Sequence, residues 1–131
     1  MGRRSHWIFV LLALVFSVGL VFWVDFQGFD AKPASFDENH WKIGREQIKQ
    51  NGDPGCVLGG MANQLRKNNL LTLMPRRELV ALLGLPDRTE SKDLFWEIGQ
   101  CHGRGWKNSQ LRIELDTNGR AKDVHIQESK Q

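Results

Sequence analysis

Cys101 and His102 are the side chains here best suited to covalent chemistry, because a thiol becomes a nucleophile when a nearby imidazole takes its proton. Cys56 and His125 supply a second thiol and a second imidazole. A small thiol-dependent or hydrolytic enzyme would need Cys101, His102 and His125 to converge on one point. Their spacing does not favour this. Neighbouring residues at a strand end point to opposite faces, so Cys101 and His102 do not meet, and His125 would have to be delivered by the topology. Zinc held by Cys56, Cys101, His102 and His125 would lack the short paired ligand spacing of known zinc sites. There is no Cys-x-x-Cys pair. The glycines from Gly99 to Gly105 are not followed by the lysine and helix of a phosphate loop. No catalytic, metal-binding or cofactor-binding residue is therefore assigned, and no small-molecule substrate is inferred.

The cysteines have two other uses. In an oxidising compartment Cys56 and Cys101 can form a disulfide closing a 46-residue loop, worth about 2–4 kcal/mol. They can equally be two buried thiols. The loop that follows Cys101 is the best candidate for binding a partner. It sets His102, Arg104, Trp106 and Lys107 among Gly103 and Gly105, and aromatic and arginine side chains on loops are common interface anchors. The competing expectation is that Trp106 folds back to cap the core. Arg76 and Arg77 open a helix, where the dipole disfavours cations, so they are expected to face solvent.

These residues need elements to hold them. Val57, Met61, Leu65 and Leu70 recur near the helical period, with Leu58, Ala62 and Leu71 widening the stripe, which predicts a helix over residues 56–71. A second helix starts at Pro75 and carries Leu79, Val80, Leu82 and Leu83, with Gly84 as its C-cap and Pro86 preventing continuation. The period then changes to two. Leu94, Trp96 and Ile98, then Leu111, Ile113 and Leu115, then Val124 and Ile126 mark three half-buried strands. Asn118-Gly119 is a hairpin turn between the last two. Helices grouped before an antiparallel sheet predict an α+β fold of two layers, two helices on three strands. Upstream, Ser35 and Glu38 fit a capping box. A thinly apolar helix to about Gln50 is expected there, as a surface helix or a partly ordered neck.

The strongest constraint on location is the uncharged run over residues 7–24, WIFVLLALVFSVGLVFWV. As a helix it rises roughly 27 Å, close to the roughly 30 Å hydrocarbon core of a bilayer. Trp7 and Trp23 stand at its ends, where interfacial aromatics belong. A cleaved signal peptide would have a shorter apolar region and a small-x-small site. Here Phe29 or Lys32 occupies the minus-three position for cleavage after Ala31 or Ala34. Arg3 and Arg4 precede the run, whereas Asp25 and Asp30 follow it. The positive-inside rule therefore keeps the N-terminus in the cytoplasm and exports the rest. The formal charge is +3 and the sequence pI about 9.1, but Arg3 and Arg4 supply two of those charges. The remainder carries 16 Lys and Arg against 15 Asp and Glu. That balance gives no basis for nucleic-acid binding.

The segment from Met74 to Asp87, and above all Leu82-Leu83-Gly84-x-Pro86, resembles the signature of BamE-like (SmpA/OmlA) domains. Trp96 before Gly99, and residues 111–116 before Asn118-Gly119, fall where that family has its first strand and its second strand with hairpin. The likeness covers about residues 56–128. It implies two helices on a three-stranded antiparallel sheet in a small membrane-anchored envelope protein. Leu73 stands where the pattern has glycine, and Pro75 where it has serine or threonine. No cysteine follows the apolar run for a lipid, so the likeness is to the domain rather than to the lipid-anchored assembly factor.

Three segments are expected: residues 1–24 as a transmembrane anchor, 25–55 as a linker with a short helix, and 56–131 as the α+β domain. The expected role is non-enzymatic, an extracytoplasmic interaction or scaffolding domain on the inner membrane. Its partners would be the bilayer, through residues 7–24, and another envelope protein, through the exposed sheet face and the Gly-rich loop. The alternatives are the thiol or hydrolytic enzyme considered above and a secreted inhibitor-like periplasmic domain.

Overall fold

A computed structural model describes residues 13, 15, 17, 29–51, 56–103 and 107–129 of the chain. Among the described residues from 29 to 129, three helices and a four-stranded antiparallel sheet form a mixed α+β fold. The elements are β1 (Phe29–Asp30), α1 (Glu38–Asn51), α2 (Val57–Lys67), α3 (Arg76–Leu83), β2 (Arg88–Glu90), β3 (Asp93–Gly99), β4 (His102–Gly103), β5 (Ser109–Leu115) and β6 (Ala121–Glu128). The main sheet has the order β2-β3-β5-β6, and β1 pairs with β4 in a separate ribbon.

The core face of the sheet is the alternating row expected from sequence. Leu94 pairs with Ile113, Ile113 with Val124, Trp96 with Leu111 and Leu111 with Ile126. Leu58, Met61, Leu65, Leu79 and Leu83 pack on that row from the helices. The sheet gains a fourth strand, β2, which the sequence reading left out. All three of its residues are polar, so no apolar alternation marks it. It is held by the backbone, with Arg88 opposite Phe95 and Glu90 opposite Asp93.

A third helix also joins the core. The helix expected on the surface or as a neck, α1, buries Trp41, Gly44 and Arg45, with Ile48 partly buried against the same cluster. These four positions form one helical face. Ile43 lies off it and is 56% exposed. Apolar content alone understates this face because glycine and arginine fill half of it. At Gly44 an added Cβ would come 2.9 Å from Leu58, so α1 and α2 cross closely there. The cap also differs from expectation. Asp37, not Ser35, accepts from the His40 amide at 2.8 Å, so the helix starts two residues later than a Ser35 cap implies.

α2 ends at Lys67, not at residue 71. Asn68–Leu73 form a turn in which Leu71 stays buried and Leu70 is 51% exposed. α3 begins after Pro75, which sits at the N-cap position and whose carbonyl accepts from Glu78 and Leu79. Gly84 closes the helix at φ 80 and ψ 179, a region open essentially to glycine alone. The orphan carbonyls at this helix end take their donors from the two buried tryptophans. Trp41 Nε1 donates to Leu83 O at 3.0 Å, and Trp96 Nε1 donates to Gly84 O at 3.0 Å. The Leu-Leu-Gly-x-Pro segment is thus where both tryptophans dock.

Residues 31–36, expected within a linker, strap across α2. Ala34 N donates to Gly60 O at 3.0 Å, Asn63 Nδ2 donates to Ala31 O at 2.6 Å, and Ala31 is buried. Two glycines allow this approach. A Cβ on Gly60 would lie 2.8 Å from Lys32 O, and one on Gly59 would lie 2.5 Å from Cys101 Cβ.

Among the described residues no helix is long and apolar enough to cross a membrane. The apolar run lies outside those residues apart from Ala13, Val15 and Ser17, which are helical. The Ser17 hydroxyl donates to Ala13 O one turn back, which satisfies a polar group within its own helix. Arg3, Arg4, Trp7 and Trp23 lie outside the described residues.

Candidate functional site

The ribbon of β1 and β4 fixes the corner where the Gly-rich loop begins. Asp30 pairs with His102 and Phe29 with Gly103, so the segment that follows the apolar run lies directly against the start of the Gly-rich loop. Lys107, on the far side of that loop, is exposed and pairs with Glu128 at 2.9 Å. Arg104 and Trp106 lie outside the described residues.

Both cysteines reach this same corner. Cys56 is the N-cap of α2 in a left-handed conformation, φ 61, with its Sγ 3.3 Å from Gln100 O. Cys101 is buried against Gly59, and its Sγ donates to Ile98 O at 3.4 Å. Each thiol therefore lies by the turn that leaves β3. His125 is elsewhere. It alternates with the core residues Val124 and Ile126, so its side chain is on the outer face of the sheet, away from Cys101. Cys101 and His125, two of the residues considered as a thiol centre, are therefore not brought together. Among the described residues, no group of three or more His, Cys, Asp or Glu side chains is placed to hold a metal ion.

The outer sheet face carries charge in ordered rows. Arg88, Phe95, Arg112 and His125 are in register across the strands, and Glu90, Asp93, Glu114 and Asp123 form the next row. The two rows pair with each other at two places, and Lys122 at the β6 bulge answers a third acid. Arg88 pairs with Glu90 at 2.7 Å, Arg112 with Asp93 at 2.8 Å, and Lys122 with Glu114 at 3.4 Å. The Arg88 guanidinium also covers the Phe95 ring, 4.2 Å from its centroid, and Phe95 is almost wholly buried.

A cleft of about 280 Å³ lies between α1 and the end of α3, lined by Lys42, Arg45, Glu46, Lys49 and residues 83–85. Its cations are answered within the fold. Lys42 pairs with Glu38, Lys49 with Glu46, and Arg45 with Asp87.

Sequence reasoning missed the exposed leucines of the α2–α3 turn. Leu70 is 51% and Leu73 62% exposed, and Leu73 is held at φ 64. The exposed cations Lys67, Arg76 and Arg77 flank them without an ion pair among the described residues. The signal that pointed here was Leu73 itself, standing where the resembled pattern has glycine. No protein family, curated protein or solved structure compared with this chain matches it.

Proposed function

We propose that this chain is a single-pass inner-membrane protein whose exported α+β domain, of the BamE-like kind, binds another envelope protein and catalyses no reaction. Residues 7–24 are the anchor, with Arg3 and Arg4 in the cytoplasm and Trp7 and Trp23 at the two interfaces. The observation that carries the reading is the β1–β4 ribbon. It pairs His102–Gly103, where the Gly-rich loop begins, with Phe29–Asp30, a few residues beyond the anchor, which supports a partner of this loop being one held at the same membrane. The anchor keeps the domain within a short reach of such partners and raises their effective concentration.

Photo-crosslinking groups at Trp106 and Lys107 in living cells test the proposal. A discrete adduct with one membrane or envelope protein is expected from both positions. The same adduct should be missing when the group sits at Thr117 on the opposite hairpin. Adducts that are diffuse, or equal from Thr117, would remove the loop from the binding surface. A C-terminus that a protease added outside intact spheroplasts cannot reach would reject the orientation.

A further inference from the structure

We propose that β6 is a self-association edge, through which two copies of this chain pair antiparallel about a two-fold axis at His125 and join their sheets into one. The two edges of the sheet are finished differently. On the β3 side, where β2 stops short, side chains occupy the free backbone groups. Glu97 N donates to Asp87 Oδ2 at 2.7 Å, and Glu97 O accepts from Arg45 Nη1 at 3.3 Å. On the β6 side the two ends of the strand are occupied: Leu73 N donates to Ala121 O and Ala121 N donates to Met74 O, both at 2.8 Å, and Gln110 Nε2 donates to Glu128 O at 3.3 Å.

The rest of that edge can be read from the ladder. Ser129 N donates to Asn108 O at 2.8 Å, so residue 129 turns toward β5. In an antiparallel pair the facing alternates. In the register observed, Gln127, His125 and Asp123 therefore also turn toward β5, while Val124 and Ile126 turn their N–H and C=O groups outward. Among the described residues no backbone group answers them. An open edge of this kind is a template for another strand.

The sequence of the edge selects the strand that fits. An outward-facing residue must meet another outward-facing residue. With the axis at His125, Val124 of each copy meets Ile126 of the other, and each pair exchanges both of its hydrogen bonds. Both side chains lie on the helix side and are only partly buried in one copy, so the pairing covers the remainder. Asp123 falls opposite Gln127, and the pairing ends there, because Leu73 and Met74 already occupy the edge at Ala121. Moving the axis to Ile126 sets Val124 against Glu128, and moving it to Val124 sets Ile126 against Lys122. The axis at His125 alone thus gives both outward residues an apolar partner, since the other two registers leave only Ile126 on Ile126 or Val124 on Val124, and a second copy supplies it from the same residues.

The test uses the full chain in its own membrane. In the proposed pair the two copies of residue 125 form a non-hydrogen-bonded pair, with Cα atoms about 4.5 Å apart and within disulfide reach. His125→Cys is therefore expected to give a covalent dimer under mild copper–phenanthroline oxidation. Its rate should exceed that of Thr117→Cys at the hairpin by roughly tenfold or more, because pairing raises the effective thiol concentration. The unsubstituted chain sets the background from Cys56 and Cys101. Ile126→Pro removes an outward N–H and leaves the β5 ladder whole. Added to His125→Cys it should cut the rate by roughly tenfold with the circular dichroism spectrum unchanged, the effect expected when an edge donor is lost. Val124→Pro does the same should the first proline variant misfold. A His125→Cys chain that crosslinks no faster than Thr117→Cys overturns the proposal, as does a folded proline variant that crosslinks at the unaltered rate.

Discussion

Leu73 shows how a single residue can work against the fold. Its φ of 64 is fixed by two contacts of its backbone: its N–H donates to Ala121 O at 2.8 Å, and its carbonyl accepts from Arg120 Nη1 at 3.2 Å. A left-handed conformation costs an L-residue about 1–2 kcal/mol. Leu73 recovers little of this by packing, since most of its side chain is in solvent. Glycine would remove the strain and lose about 0.5–1 kcal/mol in chain entropy. Leu73→Gly is therefore expected to stabilise the domain by about 0.5–1 kcal/mol, read as a higher urea midpoint. A lower midpoint would show that the leucine packs on something. Strain kept at an exposed apolar residue is the pattern of a contact surface. At Asp116 the backbone works the other way. Its Oδ1 accepts from Arg120 N at 2.9 Å and from Asn118 N at 2.8 Å. The Arg120 amide above all, then the Asn118 amide and the nearby Arg120 and Lys92 charges, holds the carboxyl below its ordinary value against a smaller opposing effect of burial. A carboxyl whose folded pKa is depressed stabilises above its unfolded value and loses that contribution as pH falls through the folded one. The thermal midpoint should thus drop as pH falls below about 4. Asp116→Asn should be less stable at neutral pH and lack that part of the acid loss. An Asn variant with the full acid dependence would place it on other carboxyls.

Between elements, the join that matters most is made by one guanidinium. Arg45 on α1 grips both Asp87 oxygens, at 2.6 and 3.1 Å, and donates to Leu85 O and Glu97 O. It ties α1 to the α3–β2 connection and to the bare edge of β3 in a single contact. Its side chain is 9% exposed, so removal leaves Asp87 and two carbonyls poorly served. Arg45→Met is expected to destabilise by about 3 kcal/mol, and Asp87→Asn, which keeps an oxygen acceptor, by less. A loss under about 1 kcal/mol in chemical denaturation would mean that water replaces the guanidinium, as at exposed pairs. This join also shows what the sequence could reveal. Helices α2 and α3 and strands β3, β5 and β6 each bury an apolar stripe of their own, so periodicity finds them. β2 is held by backbone pairing and by Arg88 on Phe95 and Gln110, and α1 by a glycine that crosses Leu58 and by one tryptophan and one arginine whose hydrogen-bond partners lie 42 residues away. No local pattern encodes either. The candidate loop was legible by composition, but the place of its first residues, His102 and Gly103, beside β1 depends on a two-residue ribbon with no periodic signal.

At the scale of the whole molecule the two layers present unlike surfaces. Ile43, Leu70, Leu73 and Leu85, the exposed large apolar residues of the described domain, all belong to the helix layer or its turns. The outer sheet face instead shows rows of compensated charge. Residues 31–34, which lead back toward the anchor, also lie on α2, on the helix side. On the proposed anchoring, the helix layer is therefore the side turned to the bilayer. Leu70 and Leu73 then reach the headgroup region beside Lys67, Arg76 and Arg77, as apolar and basic residues do together at an interface. Pairing through β6 agrees with this arrangement. A two-fold axis normal to the joined sheet keeps both helix layers on one side, so two anchored copies can face the same membrane. A fluorophore on Asn69→Cys should accordingly be quenched by spin-labelled anionic lipid in reconstituted full-length protein, and one on Glu90→Cys, on the outer sheet face, should not. Leu73→Gly should weaken the quenching at residue 69 while leaving the protein at least as stable, which separates lost contact from lost fold. Equal quenching at both positions would sink the layered orientation, and stronger quenching at residue 90 would reverse it.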